Sequence, residues 1–508
     1  MNFLSNLTFF PNEFTEVVNF ENCYLGIYPE FFLIIVLSCL IGFLVVIDYK
    51  FKYKVVLTTV AGKILLDTYL LLLIIINNNF TEFLIFNDLL IVDNFTILIK
   101  NVLVLSLICI IFISFNYIKI EKIDKYEYFL LVGLSTLGMF TIVSSNDLIT
   151  MYIGIEIQSL CFYILATIKI YNNFSTEAGL KYFILGAFSS GLLLFGSSFI
   201  YGSLGTTNFT DMRLLSTNFS NVSDNPISLI LGIIFVTVAI MFKIGAAPFH
   251  MWVPDVYEGV PTIVTAFFAI VPKIAIFSLL IRLQINLFYE NLVFTQNIFL
   301  YAALLSITIG TLGALYQIKL KRLLAYSAIS HVGFLLLGFV SFNNWSIFSL
   351  FFYLIIYIII SINIFTVLLV LRKADNNLKF KKINEVVILF KSNPLLAINF
   401  CLILFSIAGI TPLVGFYSKL YIFISALKSE IYISAILAAI LSVIASMYYI
   451  RLIKLMFFKN FEYWTLFTEL TKKESLLISV TFFFNLFFFC YPEIFVISIY
   501  NIILKLFY

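Results

Sequence analysis

The sequence predicts an all-α polytopic membrane protein of about fourteen transmembrane helices, and three observations support this prediction. The chain has 508 residues, of which 62% are hydrophobic and only 11% are charged, so a soluble fold is excluded. Apolar runs of roughly 18 residues or more, each long enough to cross a bilayer as a helix, recur from Phe31 onward. Lysine and arginine concentrate in alternate loops between these runs, as real membrane spans require.

Charged and turn residues bound each predicted helix. In chain order, the helices cover residues 31–47, 55–77, 95–117, 128–145, 147–168, 178–202, 227–247, 258–281, 296–316, 323–341, 346–371, 394–427, 430–450 and 475–501. The long loops, among them 207–226 and 372–393, are too short for a soluble domain. The chain is therefore expected to lie almost entirely in the membrane.

The distribution of basic residues predicts the orientation. About 21 of the 31 lysines and arginines lie in loops that follow odd-numbered helices. About four, Arg213, Arg282, Lys428 and Lys505, lie on the other side. Both termini and the loops 203–226 and 342–345 are therefore expected in the outer compartment, and residues 374–378 on the inner side.

Composition also argues against several functions. The net charge of +4 comes without a separate basic run, so no nucleic-acid partner is expected. The six cysteines include no C-x-x-C pair and do not cluster with either histidine, so we expect no metal or iron–sulfur site. The first thirty residues contain no lysine or arginine, so we expect no signal peptide or presequence. With 59 Phe and 29 Tyr against 21 Gly, the composition fits an A/T-rich organelle genome.

Ionisable residues inside the predicted spans carry the functional information. A charge at a helix centre costs roughly 2.5 to 3.5 kcal/mol, so it needs a partner, a water-filled cavity or a route to the interface. Lys100 is near the start of its span, which favours snorkelling to the interface. Lys63 and Asp67 are four residues apart, a spacing that fits a local ion pair and a functional role equally.

The other ionisable residues are harder to explain by snorkelling. Glu156, Lys243 and Lys273 lie deep in their helices, whereas Lys181 is close enough to a helix start to leave both interpretations open. Lys243 is followed by Gly245 and Pro248, and Lys419 is preceded by Gly409, Pro412 and Gly415. Interrupted helices persist in membranes where they are buried or line a cavity, and a matched pair is typical of transporters with inverted repeats.

Long motifs resemble a known family. The segment FKIGAAPFHMWVPDVYEGVPTIVTAFFAIVPKIA, residues 242–275, is similar to the hallmark segment of antiporter-like subunits of respiratory complex I, and it fits the subunit 2 family best. STEAGLKYFILGAFSSGLLLFGSSFIYGSLGT, KLKRLLAYSAISHVGFLLLG and AGITPLVGFYSKLYIF agree in the same order, so the resemblance covers most of residues 127–460. Thr411 departs from the family, which usually has a second proline before Pro412.

The resemblance implies a division of the chain. It consists of an N-terminal segment with three transmembrane helices (1–126), a first antiporter-like repeat (127–285), a second, inverted repeat (296–460) and a C-terminal helix (461–508). It also implies proton translocation without a redox centre in this chain, so NADH, FMN, iron–sulfur clusters and quinone are expected in other subunits. The expected partners are neighbouring antiporter-like and small membrane subunits, with lipids.

The resemblance also assigns candidate relay residues. They are the fifth-helix Glu156, the sixth-helix Lys181, the seventh-helix Lys243, the eighth-helix Lys273 and the twelfth-helix Lys419. Glu156 is expected to pair with Lys243, with Lys181 modulating the pair, and the signal to pass through Lys273 to Lys419. His250 and His331 are further candidates, because histidine titrates in a range that suits proton relay, but the sequence favours a buried, hydrogen-bonded structural histidine at each position.

Two other functions use the same residues. A cation/proton antiporter needs the same buried charges without redox partners, and a purely structural subunit needs them only to fix helix packing. The VPDVYEG segment, residues 253–259, favours the complex I subunit over the antiporter. The expected location is the mitochondrial inner membrane, with the bacterial plasma membrane and the thylakoid as alternatives.

Overall fold

Helices form almost all of the computed structural model, which describes residues 26–51, 54–77, 83–121, 123, 125–216, 227–288, 291–372, 380–459 and 470–507. The first part contains α1 (Tyr28–Phe51), α2 (Lys54–Asn77), α3 (Asn94–Ile120), α4 (Glu127–Ser144), α5 (Leu148–Ala166), α6 (Asn173–Leu204) and the short α7 (Phe209–Ser216). The middle contains α8 (Ile227–Ile244), α9 (Trp252–Gly259), α10 (Thr262–Ile285), α11 (Leu292–Leu315), α12 (Leu320–Val340) and α13 (Asn344–Val370).

A short 3-10 helix (Ile383–Ile388) opens the last part of the described chain. It is followed by α14 (Leu389–Ser392), α15 (Pro394–Ala408), α16 (Val414–Lys428), α17 (Tyr432–Phe458), α18 (Lys472–Phe487) and α19 (Pro492–Phe507). The sequence did not predict one small element, an antiparallel hairpin of β1 (Phe83–Ile85) and β2 (Leu90–Val92). Its turn uses positive φ angles at Phe86, Asn87 and Asp88.

The polytopic all-helical fold class is confirmed. Within the described residues, 12 helices are long and apolar enough to cross a membrane. The broken pair α15 and α16 and the shorter α18 account for the remaining predicted spans. The predicted helix 394–427 is interrupted between Ala408 and Val414, where the sequence indicated a break. The predicted helix 475–501 was wrong as a single element, because it is interrupted before Pro492. Pro492 begins the new helix α19, because proline lacks the N–H that a helix interior needs.

Helix α10 forms the centre of the molecule. Its residues from Thr262 to Gln284 are all buried, and it packs against α3, α4, α8 and α13. An almost continuously apolar sequence is required for this position, since no face of the helix meets the surroundings. The only charged residues on it are Lys273 and Arg282, so each needs a partner supplied by another helix.

Ion pairs attach α3 to its neighbours at both ends. Asp93, which caps the start of α3, binds Arg282 of α10, with 3.2 Å between Oδ2 and Nη2. At the other end, Glu121 binds Arg372, with 2.8 Å between Oε1 and Nη1, and it also binds Lys169. Arg372 is 2% exposed and lies 4.9 Å from the centre of the Tyr117 ring. The N-terminal segment is therefore locked onto helices of both predicted repeats.

The snorkelling predicted for Lys100 is wrong. Its side chain is buried, and Nζ lies 2.5 Å from Oε1 of Glu30 on α1. Because the carboxylate approaches from a helix that is 70 residues away in the chain, the pair is satisfied inside the protein and the ammonium need not reach the interface.

Lys63 and Asp67 do not form the local ion pair that was one of the two interpretations of their spacing. Both side chains are exposed on α2, and neither has an ion-pair partner among the described residues.

Candidate functional site: a buried string of ionisable side chains

The first helix break lies directly after Lys243. Helix α8 ends at Ile244 because Gly245 adopts φ +79°, a conformation that L side chains rarely adopt. The Gly245 N–H donates to the carbonyls of Met241 and Phe242 at 3.0 Å. Trp252 Nε1 also donates to the Phe242 carbonyl, at 2.9 Å. The carbonyls at this helix end are therefore satisfied in the membrane interior, as a stable break requires.

Lys243 and Glu156 lie near each other but do not touch. The negative charge of Glu156 acts on Lys243 electrostatically, but the described residues include no ion pair between them. Oε1 of Glu156 is buried without a hydrogen-bond partner, and Oε2 accepts only a 3.4 Å bond from the Ser159 hydroxyl. Lys243 Nζ lies 6.0 Å from the centre of the Tyr163 ring. Glu156 and Lys243 therefore do not form the expected direct ion pair. They form a separated pair, and the strength of its electrostatic coupling depends on the distance between the two charged groups.

Lys273 bonds a tyrosine rather than a carboxylate. It follows Pro272 inside α10 and is 5% exposed. Its Nζ donates to the Tyr357 hydroxyl of α13 at 2.9 Å and lies 4.6 Å from the centre of that ring. A cavity of about 20 Å³ is lined by both Lys243 and Lys273, together with the polar side chains of Gln158 and Ser159. A cavity of this size with polar partners has room for a water molecule between the two lysines.

The second helix break holds Lys419. Helix α15 ends at Ala408, Gly409 takes φ +88°, and α16 begins at Val414. Lys419 Nζ donates to the carbonyls of Ile407 and Ala408, both at 2.9 Å. These carbonyls form the negative end of the α15 dipole, so they stabilise the ammonium without a carboxylate.

Glycine makes this second break possible. A Cβ at Gly409 would lie 3.1 Å from Cδ of Lys419, and a Cβ at Gly415 would lie 1.8 Å from the Ser406 carbonyl oxygen. The predicted interruption is present even though Thr411 replaces the family's second proline, because the two glycines allow the close approach of α15 and α16.

His331 packs beside Tyr357, the partner of Lys273, and lines the same cavity as Lys419. Its Nδ1 shares a 2.6 Å hydrogen bond with the Tyr353 hydroxyl, and its Nε2 lies 3.4 Å from the Tyr449 hydroxyl. A cavity of about 40 Å³ is lined by His331, Tyr353, Tyr357 and Lys419. The polar groups therefore continue from Lys273 through Tyr357 and this cavity to His331 and Lys419. We call these side chains, together with Glu156 and Lys243, the buried string.

The sequence prediction missed the tyrosines of this string. With 29 tyrosines in the chain, no single tyrosine stood out. The one usable signal was the spacing of Tyr353 and Tyr357, which places both on one face of α13.

Two predicted site residues form no hydrogen bond or ion pair with the other candidates among the described residues. Lys181 is 44% exposed and forms ion pairs with Glu177, at 2.8 Å, and Asp255, at 3.1 Å. It forms no hydrogen bond or ion pair with Glu156 or Lys243 in the described chain. The structure therefore shows no direct bond through which Lys181 could modulate that pair. His250 is buried in the first break, and its Nδ1 has no hydrogen-bond partner.

Metal binding has no support in the part of the chain that the structure describes. There, no group of three or more His, Cys, Asp or Glu side chains is arranged to hold a metal ion.

A helical membrane bundle with two broken helices, each beside a lysine of a polar interior string, defines an antiporter-like ion-translocating subunit. Comparison with known proteins identifies a family within this class. Residues 145–445 match the family described as NADH:quinone oxidoreductase/Mrp antiporter, TM. The chain is 42% identical to NADH-ubiquinone oxidoreductase chain 2 of Marchantia polymorpha over 93% of this chain and 97% of that protein.

Further relatives agree. Chain 2 of Oenothera berteroana is 42% identical over 93% of this chain and 96% of its own length. A chain of respiratory complex I from Thermus thermophilus superposes with a TM-score of 0.75 at 26% identity, over 92% of this chain and 99% of that chain. The protein belongs to the NADH-ubiquinone oxidoreductase chain 2 family, the antiporter-like membrane subunits of complex I.

Proposed function

We propose that this chain translocates protons as a membrane subunit of NADH:ubiquinone oxidoreductase in the mitochondrial inner membrane, and that the buried string is its proton route. Electrons from NADH pass through cofactors held by other subunits, and this chain contributes ionisable side chains rather than a redox centre. The described interior supports the proposal because its lysines are placed with tyrosines, a histidine and small polar cavities rather than with metal-ligand clusters.

The proposed mechanism begins at the separated pair of Glu156 and Lys243. An ammonium in a low-dielectric interior is destabilised, and a nearby carboxylate offsets this, so changing their separation changes the proton affinity of Lys243. A proton or positive charge that arrives at Lys243 raises the potential at Lys273 across the shared cavity. Lys273 then gives its proton to the Tyr357 hydroxyl oxygen, to which it already donates a hydrogen bond, while that hydroxyl releases its own proton towards the cavity lined by His331 and Lys419.

The second half of the route ends at Lys419. Tyr357 faces the cavity that His331 and Lys419 also line, so a proton crosses to Lys419 through the histidine or through water. The carbonyls at the end of α15 hold the Lys419 ammonium until the charge of the next proton in the string favours its release.

The observation that carries the proposal is the bond between Lys273 and Tyr357. It connects α10 of the first predicted repeat with α13 of the second, and both groups are buried. A purely structural pair has no need of cavities on both of its sides, whereas a relay does.

The direct test is Lys273→Met, which keeps the length of the side chain and removes the proton carrier. Proton uptake and quinone reduction are measured in membrane vesicles and normalised to the amount of assembled complex. We expect both rates to fall while the complex still assembles, and Lys454→Met, an exposed lysine of α17, to leave both unchanged. Normal proton uptake in the Lys273 variant refutes the relay, and loss of the complex in that variant alone favours the structural function.

The family match also includes Mrp antiporters, which gives the second candidate function, cation/proton exchange. Exchange needs no electron transfer, so it predicts sodium-dependent proton movement in vesicles without NADH. We expect none, because the identity to the ubiquinone-linked relatives extends over nearly the whole chain.

The location and orientation are part of the same proposal. Similarity to the plant ubiquinone-type chains supports the inner membrane, and the positive-inside distribution supports termini in the intermembrane space. The loop at 374–378 lies outside the described residues. The described Asp211 lies in the loop expected on the outer side, so cysteine at this position in a chain without exposed native cysteines should react with an impermeant maleimide from that side only. Reaction from the inner side overturns the orientation.

A further inference from the structure

Two charged residues lie in the middle of α2 on the outside of the chain. Lys63 and Asp67 are nine and thirteen residues beyond Lys54, the first residue of this 24-residue helix. At 1.5 Å per residue, Lys63 lies about 14 Å from one end of the helix and Asp67 about 15 Å from the other. Both side chains are exposed. These positions place both charges near the centre of the hydrocarbon layer.

The described part of the chain offers these two side chains no ion-pair partner. They are four residues apart but form no ion pair with each other or with any other described residue. The inward face of α2 is already filled, since Ala61, Leu65 and Tyr69 are buried. A Cβ at Gly62 would lie 2.7 Å from the Phe115 and Phe129 rings, so α2 already packs tightly on this side.

Other charged side chains in the described spans are treated differently. Lys100 and Arg282 are buried against carboxylates, and Lys419 is buried against carbonyl groups. The exposed Lys454 lies four residues from the end of α17, within reach of the interface. Lys63 and Asp67 neither bind a partner group among the described residues nor reach the interface. A lysine side chain of about 6 Å cannot cover the roughly 14 Å to the helix end.

Lipid tails cannot satisfy these groups. An ionised side chain in hydrocarbon needs an opposite charge, hydrogen bonds or water, and lipid chains supply none of these. The same face carries exposed apolar residues on either side, Val56, Leu70 and Ile74, at helical spacing with the two charges. An apolar stripe with a charge pair at its centre has the chemistry of a helix–helix contact in the membrane.

We propose that this stripe of α2 is the docking surface for a transmembrane helix of another subunit of the complex. That helix presents an acidic side chain opposite Lys63 and a basic side chain opposite Asp67. The two partner groups lie about 6 Å apart along the helix axis, since four helical residues separate Lys63 and Asp67. The inference rests on the proposed function only insofar as the chain assembles into a multisubunit membrane complex.

Charge variants distinguish the occupants of this face. We compare Lys63→Met/Asp67→Leu, which removes both charges, with Lys63→Asp/Asp67→Lys, which exchanges them. If α2 faces a complementary helix, the exchange places like charges opposite each other. It should then lower the amount of assembled complex roughly tenfold or more, to well below the amount of the neutral variant. If the two groups only pair with each other, the exchange preserves that pair and assembly is normal. If they face lipid, the neutral variant assembles at least as well as the wild type and the exchange matches the wild type. Either result overturns the proposal.

A second measurement identifies the neighbour directly. A photo-crosslinking amino acid at position 67 should form a covalent product with another subunit in the assembled complex, and mass spectrometry of that product gives the contacted helix. The matched control at Leu65, which is 1% exposed on the same helix, should react only within the chain. Assembled complex with no intersubunit product at position 67 overturns the proposal while leaving the proton route intact. Absence of this chain from any complex overturns the proposed function itself.

Discussion

Tyr357→Phe tests the central link of the proposed route with the smallest possible change. The substitution removes only the hydroxyl that accepts the 2.9 Å bond from Lys273, and it keeps the ring whose centre lies 4.6 Å from the ammonium. Helix packing is therefore expected to survive. The measured effect then reports on the hydroxyl group alone.

The size of the effect follows from that bond. A hydrogen bond to a charged group contributes about 1.5 to 3 kcal/mol, and losing it from a transfer step corresponds to a slowing of roughly 10- to 150-fold. We expect proton transfer through this step to slow by that factor. Complex abundance should stay near the wild-type level, since the substitution keeps the ring that packs in α13, and the polar cavity beside Lys273 has room for a water molecule in place of the lost partner.

The assay is proton translocation in vesicles at saturating NADH, normalised to complex on a native gel. Tyr326→Phe is the matched control, because its hydroxyl makes no hydrogen bond in the described chain and does not line the central cavity. Wild-type translocation in the Tyr357 variant refutes the assigned link between α10 and α13. An equal loss in both variants shows that the effect is not specific to the route.

Three further substitutions have defined outcomes. Lys243→Ala should reduce pumping more than assembly, and Lys243→Arg should also fail because a guanidinium does not release its proton; normal pumping in both variants refutes its relay role. Lys100→Ala should destabilise the protein by about 3 to 5 kcal/mol, because it leaves the buried carboxylate of Glu30 without its partner. Adding Glu30→Gln should restore much of the lost stability in thermal unfolding. An unchanged unfolding midpoint in the single variant contradicts the buried pair. Gly415→Ala should abolish or rearrange the second break, since its Cβ would lie 1.8 Å from a backbone oxygen, whereas Gly202→Ala, with nothing within 4 Å, should have no effect on the assembled complex; equal yields of the two variants exclude the tight contact.

Several features could be predicted because they depend on local composition. Helix positions follow from apolar length, and the interruption at Lys243 follows from the glycine and proline beside it. The same locality explains the errors. Lys100 was expected to snorkel because its carboxylate partner lies 70 residues earlier, and no pattern around Lys100 reveals Glu30. The predicted inverted relation of the two repeats, with boundaries at 127–285 and 296–460, stays a prediction.

The amino-acid sequence by itself determined that this protein is a many-helix membrane protein, that two of its helices are interrupted beside a lysine, and that Lys243, Lys273 and Lys419 must be accommodated in the interior. Only the tertiary structure decided how each charge is satisfied. It placed Tyr357 on Lys273, the carbonyls of α15 on Lys419, and Lys181 on Asp255 rather than beside Glu156. The physical reason is that hydrophobic length acts along the chain, whereas compensation of a buried charge depends on groups a few ångströms away that come from distant helices.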